Sequence, residues 1–126
     1  MMDKQLMEMV LPRLARRLHG QLRRFHSGEL DHKQFSKNFE SLLQNQYAWL
    51  SEQGVPEVEA AVAIHAGVLI LSSPGLRAEA EQLGLPLEVV EFRAVREAAQ
   101  DVARSYSISQ ARAMRQIAAI MALYAD

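Results

Sequence analysis

Twice, thirty residues apart, the chain sets glycine, an aliphatic residue and proline in a row: Gly54-Val55-Pro56 and Gly84-Leu85-Pro86. Each triplet is a helix stop. Glycine takes the left-handed conformation, the aliphatic side chain packs back on the last turn, and proline cannot extend the helix. The helices around the two stops do not match, so they are not the mark of a repeat. No run of four or more residues alternates apolar and polar as an exposed strand would. A chain punctuated in this way folds as helices.

Between the stops, apolar residues recur at spacings of three and four. A first helix runs from Asp3, a candidate cap, to about Phe25, with Met7, Leu11, Leu14, Leu18, Leu22 and Phe25 on one face. Pro12 lies inside it, so the helix either kinks there or begins there. In HSGELDHKQF, Asp31 is an N-cap, Gln34 completes a capping box, and Leu30 with Phe35 is placed to form a hydrophobic staple. Helix two then extends from His32 to about Gln53, with Phe35, Phe39, Leu42, Leu43, Trp49 and Leu50 inward. Helix three, about Glu57 to Leu71, is apolar all round after Glu59 and belongs in the middle of a bundle. Ala63 and Gly67 on it offer a flat strip to a neighbouring helix. Ser73-Pro74 caps a short fourth helix. Helix five, about Leu87 to Tyr106, carries Phe92, Val95, Ala99, Val102 and Tyr106 on its stripe. Helix six, about Ser109 to Tyr124, carries Met114, Ile117, Met121 and Tyr124, with Ile120 beside them.

The expected fold is all-α: one compact bundle of five to six helices, joined by short Gly/Pro/Ser-capped connections and spanning residues 1–126 as a single domain. A chain of 126 residues, 49% apolar and 23% charged, is long enough to bury a core of its own. It has no cysteine, which excludes disulfides and thiolate metal sites and suits a cytoplasmic location. The N-terminus lacks the pattern of a signal peptide. The most apolar stretch, residues 60–76, is interrupted by His65 and closed by Ser-Ser-Pro-Gly, so no membrane span is expected.

The segment VARSYSISQARAMRQI resembles the general helix-turn-helix pattern. That resemblance implies Val102 and Ala103 in a first helix, Ile108 in the turn, and Ser109 capping a recognition helix with Arg112 and Arg115 offered to DNA. Three features depart from it. Ser107 stands where glycine is usual, the preceding helix is long, and the motif would bury Ala113 and Gln116 while exposing Met114 and Ala118. A helical hairpin that buries the Met114 stripe fits the apolar pattern better.

Charge is uneven. Residues 1–28 hold six Lys/Arg against two acids, and residues 29–126 hold eight against thirteen. Arg13, Arg16, Arg17, Arg23 and Arg24 share one side of helix one, with no acid between Val10 and Gly28. Such a face can neutralise nucleic-acid phosphates, lie on anionic lipid or meet an acidic protein. In the plainer reading it is solvated, or paired with Glu79, Glu81, Glu88, Glu91, Glu97 and Asp101.

Signs of catalysis are missing. Glu29 and His32 have the E-x-x-H spacing of carboxylate-bridged iron proteins, but that site needs a second pair, and Asp31 beside them is already a cap. No serine sits on a G-x-S-x-G elbow, and the glycines are scattered rather than gathered in a phosphate loop. His65, alone in an apolar helix, is expected to be packed and hydrogen-bonded, with a ligand role only if a cavity adjoins it. Neither a cofactor nor a metal is expected. The favoured function is a non-enzymatic interaction or regulatory protein that associates with itself or another protein. Apolar stripes on helices five and six and a Met-rich first helix exceed what one small core absorbs. The alternative is a nucleic-acid-binding regulator using Arg13, Arg16, Arg17, Arg23 and Arg24, or Arg112 and Arg115.

Overall fold

Six helices follow one another where the punctuation puts them. A computed structural model, described here over residues 3–124, contains α1 (Asp3–His26), α2 (His32–Glu52), α3 (Glu57–Leu71), α4 (Ser73–Leu83), α5 (Leu87–Ser105) and α6 (Gln110–Ala122). No strand occurs among the described residues. The chain is an all-helical bundle.

The starts and stops follow local chemistry. The Asp31 carboxylate accepts from the Gln34 amide at 2.8 Å, and the Gln34 side chain accepts from the Asp31 amide at 3.0 Å, closing the capping box. Gly54 and Gly84 take positive φ of 82° and 66°, and Val55 behind the first stop is buried, whereas Leu85 behind the second is exposed and does not pack back as expected. Ser109 caps α6 by accepting from the Arg112 amide at 3.1 Å. Two expected caps differ. Asp3 is the first residue of α1 rather than a cap ahead of it, and α4 follows Ser72 with no side-chain cap, Pro74 sitting in its first turn. The first helix continues through Pro12.

Helix α3 is the hub. Its residues Ala60 to Ile64, with Ala66 and Gly67, are buried, and it packs against α1, α2, α5 and α6. Gly67 lets α1 come close: a Cβ there would meet Leu14 Cδ2 at 3.0 Å, so the small-residue strip is used as expected. Helices α1 and α2 form an antiparallel hairpin, tied at one end by Phe25 against Phe35, then by Asn38 donating to Gln21 at 3.2 Å, and at the other end by Arg13 over Trp49. The core face of α2 is Leu42, Gln46 and Leu50, with Phe35, Phe39, Leu43 and Trp49 only half-buried.

Two apolar stripes lie differently from their sequence pattern. On α5, Val90, Val95, Ala98, Ala99 and Val102 are buried, whereas Phe92 is 57% exposed. Phe92 instead stands at a groove that it lines together with Met121, Ala122 and Tyr124 at the end of α6. On α6 the buried face is Ala113, Ile117 and Ile120. Met114 and Met121 are half-buried at its edge, and Tyr124 is exposed. The contacts with α3 and α5 turn this face inward, not the largest side chains.

Candidate functional site

The displaced stripes leave an opening. Between the end of α3, α4, α5 and α6 lies a groove of about 540 Å³, floored by Leu69, Ile70, Val95 and Met114 and walled by Phe92, Met121 and Tyr124. Other exposed apolar side chains are Leu83, Leu85 and Val89 at the α4–α5 connection and start of α5, and Leu123, 52% exposed, just past α6. Glu88 and Glu91 of α5 and Arg115 of α6 also line the groove, so both signs of charge border an apolar recess. Such a surface costs free energy in water unless something covers it. It offers apolar contact and ion pairing.

The turn between α5 and α6 bears on DNA reading. None of its residues has positive φ, and Tyr106 is extended at φ −132°. Ala113 is buried and Ala118 exposed, as the helix-turn-helix register requires, but Met114 and Gln116 are both half-buried, so the expected contrast between them is not realised. Arg112 is exposed, while Arg115 belongs to the groove.

The five arginines of α1 separate into distinct environments. Arg13 is half-buried with its guanidinium 4.5 Å from the centre of the Trp49 ring, a cation–π contact, and its Nε is enclosed with no hydrogen-bond partner. Arg24 pairs with Glu29 at 3.0 Å, both groups well exposed. Arg16, Arg17 and Arg23 are exposed, and among the described residues none is ion-paired. The ion pairs expected with the glutamates of α4 and α5 do not form there. In the middle of this face sits Gly20, with nothing within 4 Å of where a Cβ would stand. Alongside, on α2, Gln34, Asn38, Ser41 and Asn45 recur at spacings of four, three and four, and Asn38 bonds to Gln21 of α1.

His65 is half-buried and anchored. Its Nδ1–H donates to the Ala61 carbonyl at 2.8 Å, and the Tyr47 oxygen lies 3.4 Å from the same nitrogen. The Tyr47 hydroxyl is pushed up to about 12, by burial first and then by Tyr106 and the Asp101 carboxylate. A shallow cavity of about 260 Å³ does adjoin His65, bordered by Phe39, Leu43, Val68, Glu97 and Asp101. The residues of the E-x-x-H stretch are otherwise engaged: Glu29 holds Arg24, Asp31 caps α2, and His32 packs edge-on against Phe25. Among the described residues no three His, Asp or Glu side chains gather as metal ligands, and no single helix is long and apolar enough to cross a membrane.

Sequence reasoning missed three features here. Buried Gln46 reads as part of a polar run, and its Nε2 lacks a partner. The exposure of Phe92 depends on how α4, α5 and α6 pack around the groove. The Arg13–Trp49 contact depends on how α1 and α2 cross. No family model matches this chain, and no curated protein or solved structure does either.

Proposed function

We propose that the protein is a non-enzymatic interaction module that pairs with a second copy of itself through the α4–α5–α6 groove. The observation that carries this reading is Phe92, more than half exposed at the wall of an apolar recess on its own surface. A two-fold contact uses the same patch on both partners, so the patch has to fit itself. Here a protruding aromatic ring and a recess lie side by side, and acidic Glu88 and Glu91 lie opposite basic Arg115. Across a two-fold axis each partner's arginine can meet the other's glutamates. Burying the exposed part of each Phe92 contributes roughly 1–2 kcal/mol, twice per dimer. Of the methionines near the start of the chain, Met7 is fully buried and Met9 half-buried, and Met1 and Met2 lie outside the described residues.

Light scattering coupled to size exclusion, from low to high micromolar protein, tests the proposal. The wild type is expected to run as a dimer. Phe92→Glu shifts it to monomer with unchanged helicity, weakening association ten- to hundredfold. Glu91→Arg and Arg115→Glu each weaken it, and together they restore it. A wild type that stays monomeric at the highest concentration overturns the proposal.

A further inference from the structure

Arg16, Arg17, Arg23 and Arg24 are the residues four and three before Gly20 and three and four after it. On a helix these are the four nearest neighbours on the same face, with Cβ atoms about 5–6 Å apart. Gly20 thus stands at the centre of four arginine positions, of which Arg24 is paired with Glu29 and the other three are unpaired among the described residues, and the space where its side chain would project is open. Packing does not call for glycine here, in contrast to Gly67, which sits against Leu14. Glycine is a poor helix former, yet it occupies the interior of a 24-residue helix. What it provides is bare backbone at the floor of a basic notch.

We infer that this notch seats a phosphate group of a nucleic-acid duplex, with the flanking arginines contacting neighbouring phosphates of the same backbone. The surroundings favour such a partner. No acid occurs in the sequence from Met9 to Gly28, and the adjoining stripe of α2, Gln34, Asn38, Ser41 and Asn45, is neutral and able to hydrogen-bond phosphate and sugar oxygens. Single strands are held largely by stacking on aromatic rings. Here Trp49 lies under Arg13, and Phe25 is hemmed by His26, His32 and Phe35. A lipid surface is disfavoured because Val10, Leu14 and Leu18, the apolar side of α1, are buried in the bundle and cannot enter a membrane. Contact to the backbone alone reads no sequence. This surface belongs to the α1–α2 hairpin and needs no residue of the groove, so it stands whether or not the protein dimerises.

Fluorescence anisotropy with a labelled mixed-sequence DNA duplex at 50 mM salt tests it. Binding is expected to be insensitive to sequence and to weaken with salt at a log–log slope of about −3, one phosphate for each of the three exposed, unpaired arginines. Arg16→Glu with Arg23→Glu lowers affinity at least tenfold. Gly20→Leu leaves every charge in place and favours the helix, yet fills the notch, and should weaken binding three- to tenfold with helicity retained. Glu79→Gln, exposed on α4 and in neither surface, leaves the affinity within twofold. No binding at 50 mM salt, equal affinity for Gly20→Leu and wild type, or tighter binding to phosphatidylserine vesicles than to duplex would each overturn the inference.

Discussion

At the scale of single residues, the polar groups in the interior carry information that burial alone does not. The proton on His65 Nδ1 is fixed by the Ala61 carbonyl one turn back, a contact within one helix that the sequence spacing permits. Tyr47 arrives from a different helix and is partly enclosed, so its neutral form is favoured and its hydroxyl is pushed up to about 12 from the usual 10. The sign of the consequence is definite. Between pH 10 and 12 the unfolded chain loses this proton while the folded one keeps it, so stability is complete below pH 10 and falls as pH rises through that window. Urea unfolding from pH 9 to 11.5 should show the wild type losing stability more steeply than Tyr47→Phe. Parallel slopes would mean that Tyr47 is solvated in both states.

At the scale of elements, the legible features were those written within a few residues. The capping box, the two glycine stops and the serine cap of α6 each use groups no more than five residues apart. They are therefore set before any helix packs, and the boundaries of α2 and α3 lie almost where the punctuation puts them. Asp31→Ala should cost about 1 kcal/mol in thermal or urea unfolding, since it removes one arm of the box and leaves the Gln34 amide to water. Asp31→Asn should recover most of the loss. What the sequence hid was which part of each stripe finds a partner. Phe92 has the right spacing for the α5 core, yet it lines a groove beside the end of α6 and stays exposed. On α6 Met114 and Met121 are half-buried and Tyr124 is exposed, while Ala113, Ile117 and Ile120 take the core. The groove exists because of these two displacements, and neither is decided within one helix. The basic face is the opposite case: its arginines and Gly20 share a helix, so their arrangement can be counted off the sequence, and only their freedom from ion pairs needed the fold.

At the scale of the whole molecule, charge and packing divide the bundle differently. The basic excess belongs to α1 and the acidic excess to the rest, yet the described residues form only one ion pair, Arg24 with Glu29 beside it in sequence. Charge attraction therefore does not hold α1 in place; apolar contact with α3 does. Leu14, Val10 and Leu11 reach Gly67, and Ile64 one turn earlier is fully enclosed. Because α3 touches α1, α2, α5 and α6, loss of its packing should weaken the whole bundle rather than release the α1–α2 hairpin. Ile64→Ala should lower stability by about 2–5 kcal/mol, from the lost transfer free energy and the cavity left behind. The single tryptophan, Trp49, sits on α2 against Arg13 of α1, so its fluorescence reports the hairpin, while far-UV circular dichroism reports all six helices. In both wild type and variant the two signals should change at the same denaturant concentration, as one cooperative transition requires. If Trp49 responds at a different concentration from the dichroism, the hairpin unfolds on its own and α3 is not the hub of a single core.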